Sequence, residues 1–325
     1  LGCKYCFIKN NMPEDYSCSH MKFPVAKEAI DMFFHNVSKN PPEYDKRMKW
    51  IFFYGGEPLL NFDLIRQSVE YIEEAHAKQI KELGHRFKIM VITNGTMVTE
   101  EIAKYLGSKE RITVVISLDG PKDVHDDQRP WNNGRGSFDD AIRGYKLLKE
   151  VGKVKNVGVS TTLAEHNIDR LEEVRELQRE YDFDSLTLNL LLDTEEQAVS
   201  MEYMQKASQR VIEHNRVARE EKVYDDRYMR KAKAFMERRI HAHDCTALGA
   251  QLVCSAQGQV GICHEGIGTH QFFFGNVEKE FDFHNNPIIN EWKRRSPLNM
   301  PQCYDCKAIG ICGGGCAYGA RLRNG

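Results

Sequence analysis

Phe87–Gly120 reads FKIMVITNGTMVTEEIAKYLGSKERITVVISLDG. A run rich in β-branched residues, Phe87–Thr93, is followed by Asn94-Gly95 and then by a helix-like segment at Glu100–Leu106. A second such run, Ile112–Leu118, ends on Asp119-Gly120. Strand, turn, helix, strand in that order argues for parallel strands joined by crossover helices. The pattern extends both ways. Upstream, Met48–Tyr54 reads as a strand and Asp63–Leu83 as a helix, and Val25, Ala29, Ile30, Phe33 and Phe34 form an earlier apolar helical face. Downstream come helix Phe138–Val151, strand Asn156–Leu163, helix Ile168–Tyr181 and strand Ser185–Leu192. Leu171, Val174 and Leu177 recur at helical spacing in the last of these helices. The expected fold is α/β with a parallel sheet, doubly wound or barrel-like.

Composition bounds the rest. At 325 residues the chain has room for about two domains. Hydrophobic residues make up 41%, charged residues 28%, and the net charge is −2. That balance argues against disorder and gives no support for nucleic-acid binding. No apolar run approaches the roughly 18 residues of a spanning helix, so no membrane segment is expected. Glu195 to about His241 reads as a long charged helix, broken near Val223–Asp226, with its charges forming a solvated face. Short strands and Gly-rich turns follow, with too few periodic apolar positions for a large core, so bound ligands are expected to organise this region.

Ten cysteines gather at the two ends of the chain: Cys3, Cys6 and Cys18, then Cys245, Cys254, Cys263, Cys303, Cys306, Cys312 and Cys316. Clustered C-x2-C spacing in a large chain reads as zinc or iron–sulfur ligation rather than as a disulfide framework.

Cys3-Lys4-Tyr5-Cys6-Phe7 together with Gly55-Gly56-Glu57-Pro58 at the end of a strand resembles the radical S-adenosylmethionine (SAM) superfamily. Cys3 and Cys6 match the second and third cysteines of its C-x3-C-x2-C motif; the first cysteine and the first strand would lie upstream. Three thiolates on a 4Fe–4S cluster leave one iron free for a substrate. The resemblance implies a partial parallel (β/α)6 barrel of radical SAM type. It also implies that Gly55, Gly56 and Glu57 grip the SAM amino group, and that Asn94 contributes from the turn after the next strand. Ser117 and Asp119 would hold the ribose hydroxyls and Arg129 would meet the carboxylate. Tyr5 and Leu192 would contact the nucleoside.

A second pattern, Cys245-x12-Gly258-x4-Cys263 followed by Cys303-x2-Cys306-x5-Cys312-x3-Cys316, resembles the SPASM extension of radical enzymes. A zinc ribbon accounts for the last four cysteines but not for the upstream pair. The resemblance implies two auxiliary 4Fe–4S clusters and three clusters in all. Cys245, Cys263 and Cys316 would hold the first auxiliary cluster. Cys303, Cys306, Cys312 and a cysteine beyond Gly325 would hold the second. Cys254 is a candidate fourth ligand of the first, although a small buried residue is the simpler reading, and Cys18 fits no motif. His264 and Glu265, directly after Cys263, are candidate bases. His264 departs from the acidic residue found there in sulfatase-maturating relatives. His241 and His243 suggest a metal pair only weakly.

The organisation expected is a radical SAM barrel over 1–194, a helical bridge over 195–244 and a Cys-rich SPASM domain over 245–325. The resemblance is nearest to thioether-forming sactipeptide and ranthipeptide maturases. These act on a ribosomal precursor peptide with SAM and a one-electron donor such as ferredoxin or flavodoxin, and often carry a leader-recognition domain before the barrel. A cytoplasmic location is expected. The alternatives are a formylglycine-generating sulfatase maturase and a zinc-stabilised interaction protein without redox chemistry.

Overall fold

The structure, a computed structural model, describes residues 1–10, 20–39, 45–193, 199–222, 225–279 and 285–324. Cys18 lies outside them. The chain forms two compact units. The first comprises Leu1–Cys6, Ile30–Leu191 and Ser200–Asp225; the second comprises Phe7–Ala29, Leu192–Val199 and Asp226–Gly325.

The first unit is built on five parallel strands among the described residues, ordered as they occur in the chain. They are β1 (Lys49–Phe53), β2 (Phe87–Thr93), β3 (Ile112–Ser117), β4 (Val157–Leu163) and β5 (Leu186–Leu190). Each crossover carries a helix, as parallel neighbours require, and the strands curl into a half-barrel. On β2 and β3 every second residue is buried: Phe87, Ile89, Val91 and Thr93, then Ile112, Val114 and Ile116. Ile89 pairs with Ile112, Val91 with Val114 and Thr93 with Ile116, so one face is continuous and apolar. The helices contribute Ile65, Val69, Ile72, Ala103, Leu106, Ala141 and Leu148 to the same core, nearly all without exposed surface. Burying each large aliphatic side chain is worth about 1.5–3 kcal/mol. The opposite face, with Met90, Ile92, Val115, Ser117 and Ser160, is only partly covered.

Two expected helices are interrupted. Asp63–Leu83 is Phe62–Ala75 and Ala77–Leu83, parted at His76. The His76 ring stacks on Phe34 at 4.0 Å and its Nε2 lies 2.8 Å from Asp31 Oδ1, which also accepts the Tyr71 hydroxyl. The break serves a tertiary contact. Phe138–Val151 is α-helical only to Lys146 and continues as a π-helical turn, Leu147–Val151. Within it, a Cβ on Gly144 would come within 2.1 Å of the Gly95 carbonyl oxygen, so this helix crosses the turn after β2 with no room for a side chain.

The long charged stretch is two helices, Met201–Glu220 and Asp226–Met236. Val223 and Tyr224, where the break was expected, lie outside the described residues. Ser200 caps the first helix by accepting from Tyr203 N at 3.0 Å. This helix is more than a solvated face, because Tyr203, Ala207, His214, Asn215 and Ala218 are buried on it. It belongs to the first unit and Asp226–Met236 to the second.

The second unit holds an antiparallel sheet of β6 (Val253–Cys254), β7 (Gln259–Gly261) and β8 (Phe273–Asn276). β6 and β7 turn through Ala256-Gln257-Gly258, where Gly258 has φ +81°. The region expected to be organised by bound ligands, with no large core, has a small apolar core of Ala247, Leu248, Ile262, Cys263, Ile289, Trp292, Ala317 and Tyr318. Phe272 packs edge-on against Trp292 at 4.9 Å. These residues come from several short elements, so no single period reveals them. Among the described residues no helix is long and apolar enough to cross a membrane.

Candidate cofactor and cluster site

Several of the residues singled out above lie at or just beyond the C-terminal ends of the parallel strands, where α/β sheets place their sites. After β1, Gly55 has φ +147°, a conformation that favours glycine, and an added Cβ on Gly56 would meet nothing within 4 Å. The backbone there is open to a ligand. Glu57 joins two strand ends: Oε1 accepts from Leu59 N at 3.0 Å and from the Thr93 hydroxyl at 2.7 Å, and Oε2 accepts from Asn94 N at 2.8 Å. Burial raises its carboxyl pKa, against the pull of these three donors. Asn94 uses Oδ1 within its own turn, accepting from Thr96 N and the Thr96 hydroxyl at 2.9 and 2.7 Å.

After β3 the chain makes a denser network. Asp119 is fully buried. Its carboxylate accepts from Arg129 Nε at 2.8 Å, Arg129 Nη2 at 3.3 Å, Thr162 N at 3.1 Å and the Tyr5 hydroxyl. Burial pushes its carboxyl up, but the Arg129 charge and these bonds outweigh that and hold it below its usual range. Gly2 N donates to Pro130 O at 2.7 Å and Lys4 N to Gln128 O at 3.0 Å. The segment carrying Cys3 therefore runs beside Arg129. Burial raises the Cys3 thiol and the guanidinium opposes it. Cys6 N donates to Cys3 O at 3.4 Å, closing a turn that presents both thiols.

His125 supports this loop. Asp119 N donates to its Nδ1 at 3.3 Å, which leaves Nε2–H to donate to the Ser137 hydroxyl at 3.1 Å. A proton on Nδ1 would face the Asp119 N–H, so the ring is held neutral. Burial lowers its pKa from 6.5 to about 4, with Asp119 and Asp126 opposing and Arg129 and Lys122 adding to the fall. Below pH 6.5 the unfolded chain takes up this proton and the folded chain does not. Stability is therefore lost as pH falls from about 6.5 towards 4, by about 3 kcal/mol. Urea unfolding at pH 7.5 and 4.5 should show a steeper loss for the natural protein than for His125→Gln. Equal slopes would refute this role.

Ser117 lies on the partly covered face of the sheet, in register with Ser160. Asn189 Nδ2 donates to Ser160 Oγ at 2.8 Å, and Thr162 pairs with Asn189. This polar row was not singled out from the sequence. The alternation in VGVSTTL and LTLNL carries the signal, but strand register is needed to align it with Ser117. Leu192 stands two residues beyond β5, is 37% exposed and belongs to the second unit.

All nine described cysteines are free. Cys263 belongs to the apolar core of the second unit, and Cys245 and Cys316 pack against it. Burial lifts the Cys263 thiol to about 12, opposed by a hydrogen bond from the Glu265 backbone and reinforced by the charges of Glu265, Cys316 and Cys245, and burial raises Cys316 as well. Cys254 is also pushed to about 12, by burial alone, and its Sγ faces Ser255 O at 3.4 Å. Cys303 and Cys306 share a turn, in which Cys306 N donates to Cys303 O at 3.0 Å; Cys306 and Cys312 are exposed. Lys231 Nζ donates to Cys312 O at 2.9 Å. Among the described residues no three His, Cys, Asp or Glu side chains converge on a single metal ion. The His264 ring packs edge-on against Phe7 at 5.7 Å, and its Nε2 lies 3.5 Å from Oε1 of the buried Glu265. His241 and His243 face different partners, Asp244 Oδ1 at 3.4 Å and Lys293 O at 3.1 Å.

The family profile described as Radical SAM superfamily matches residues 1–177, more than half of the chain. The chain belongs to the radical SAM superfamily. It is 24% identical over 325 residues to the radical SAM cyclopropyl synthase TigE of Paramaledivibacter caminithermalis, covering 97% of this chain and 65% of TigE. It is 27% identical over 197 residues to a cysteine-type anaerobic sulfatase-maturating enzyme of Clostridium novyi, covering 59% of this chain and 48% of that protein. The chain thus spans between 48% and 65% of the length of these two curated relatives. Among solved structures, native anSMEcpe with bound AdoMet and Cp18Cys peptide matches with a TM-score of 0.77 at 21% identity, over 97% of this chain and 85% of that one. The radical SAM half-barrel and the extension with small strands are common to both folds.

Proposed function

We propose that this radical SAM protein is a peptide maturase of SPASM type that modifies a ribosomal precursor peptide oxidatively, with a cysteine thioether as the product. The observation that carries the cofactor part is the convergence of Cys3, Tyr5, Asp119 and Arg129 beyond the end of β3, with an open Gly55-Gly56 backbone at the end of β1. This donor set suits a thiolate-held cluster beside a cationic group. Cys3 and Cys6 would hold the cluster of SAM cleavage, Cys245, Cys263 and Cys316 the first auxiliary 4Fe–4S cluster, and Cys303, Cys306 and Cys312 the second. With SAM, a reduced 4Fe–4S cluster supplies a 5′-deoxyadenosyl radical able to remove a carbon-bound hydrogen. The protein's part is to bind, orient and exclude water. Gly56 gives backbone access to the SAM amino group, and the remaining acceptor position on Glu57 Oε2 suits an ammonium. Ser117 offers a hydroxyl to the ribose, Arg129 a cation to the carboxylate, and Tyr5 and Asn94 the surroundings of the nucleoside.

The peptide part draws on the relatives. One structural neighbour was solved with a Cp18Cys peptide and another, SuiB, with its precursor peptide SuiA. His264 in place of an acidic residue favours thioether formation over sulfatase maturation. His264 and Glu265 stand ready to move a proton beside Cys263. Electrons would come from ferredoxin or flavodoxin. The test is anaerobic incubation of the full-length protein with SAM, a reductant and the Cys-containing precursor encoded beside it. We expect 5′-deoxyadenosine and a peptide lighter by a hydrogen pair, because a C–S bond replaces one C–H and one S–H. A cysteine converted to an aldehyde would instead identify a sulfatase maturase. Colourless, zinc-loaded protein would overturn both readings.

A further inference from the structure

All four bonds to the Asp119 carboxylate come from protein. Oδ1 accepts from Thr162 N and Arg129 Nη2, and Oδ2 from Arg129 Nε and the Tyr5 hydroxyl. A carboxylate has about four acceptor positions. Four donors leave none for a ribose hydroxyl, the role that resemblance alone gives to this residue. Its backbone is equally committed, with N–H on His125 Nδ1 and C=O accepting from Asn167 Nδ2 at 2.9 Å. A side chain with no exposed surface and no vacant acceptor acts on a ligand through its neighbours.

Arg129 is the neighbour with capacity left. Asp119 engages the Nε and Nη2 edge of its guanidinium, and the Tyr5 ring lies 5.3 Å from the guanidinium carbon. Five N–H hydrogens are available on the fork. Asp119 takes one on Nε and one on Nη2, so both hydrogens of Nη1 and one of Nη2 remain. One hydrogen of each of these nitrogens lies along the second edge of the fork, which can pair bidentately with another carboxylate. An arginine clamped along one edge has its charge compensated and its rotation stopped, while its other edge stays available.

We propose that Asp119 is a positioning residue for the SAM carboxylate: it fixes the Arg129 fork, with the Tyr5 hydroxyl as a second tie, so that the Nη1/Nη2 edge receives the methionine end of the cofactor. The ribose is left to Ser117 and the polar row beside it. This rests on the cofactor reading above.

The two roles separate by ligand. Binding of SAM and of 5′-methylthioadenosine, which keeps the ribose but lacks the amino acid, is measured by equilibrium dialysis on the reconstituted full-length holoenzyme, on Asp119→Asn and on Arg129→Gln. Asp119→Asn should weaken SAM by roughly ten- to a hundredfold and leave methylthioadenosine nearly unchanged. Arg129→Gln should show the same split, and the double variant should lose no more than either single one. Equal weakening of both compounds by Asp119→Asn would return Asp119 to the ribose and overturn the proposal. Should that variant not fold, the SAM complex of the natural protein decides. Asp119 still bonded to Arg129 and clear of the ribose supports the proposal, and an Asp119 oxygen hydrogen-bonded to a ribose hydroxyl overturns it. Failure of the natural holoenzyme to bind SAM would remove the cofactor reading itself.

Discussion

Replacing Cys3 and Cys6 together by alanine is expected to abolish reductive cleavage of SAM while iron stays bound at the C-terminal cysteines. The two thiols share one turn, and the segment before it is pinned by Gly2 and Lys4 to the backbone of Pro130 and Gln128. Burial raises the Cys3 thiol, and the Arg129 guanidinium beside it opposes that rise. Losing both sulfurs leaves the surrounding hydrogen bonds intact, because those bonds run through backbone groups and through Tyr5, Asp119 and Arg129. The variant should therefore fold, show a reduced iron content and form no 5′-deoxyadenosine above background. Undiminished nucleoside formation would mean that these cysteines hold no catalytic cluster.

The second large effect separates cofactor cleavage from peptide chemistry. A Cys263→Ala, Cys316→Ala enzyme should still form 5′-deoxyadenosine but yield no modified peptide. Cys263 belongs to the core around Trp292 and Tyr318 and Cys316 packs against it, so each truncation costs about 1–2 kcal/mol. That core has apolar contacts of its own, and the unit should survive the loss. Gly56, Ser117 and Arg129, the residues proposed to meet the cofactor, belong to the other unit. Nucleoside chromatography paired with mass spectrometry of the peptide makes the distinction. Modified peptide at the normal rate would show that this cysteine set is structural only.

The half-barrel was largely legible from the sequence because its determinants are local. Phe87–Thr93 alternates buried and partly covered residues along its whole length, and it is a strand over those same residues. Turns such as Asn94-Gly95 mark where the strands end. What could not be read depends on residues far apart in the chain. The break at His76 needs Phe34 and Asp31, which carry no helix-breaking signal. The core of the second unit draws on separate short elements, so no single segment has a visible apolar face. The candidate site divides in the same way. Motif spacing could single out Asp119 and Arg129, but the saturation of the Asp119 carboxylate requires Tyr5 and Thr162 as well, which lie far from it in the chain. Likewise the Ser160–Asn189 bond exists only once β4 and β5 are in register.

The ties that hold the Cys3–Cys6 turn bear on how such a protein is made. Tyr5 meets Asp119 across 114 residues of sequence, and the backbone partners of Gly2 and Lys4 come later still. On the ribosome this turn has nothing to fold against until well over a hundred residues have been synthesised. Its thiols emerge before these partners and are enclosed late. During translation they remain accessible to solvent and to oxygen. Production under air therefore exposes these two thiols for that whole interval, and anaerobic expression protects them until their partners have been made.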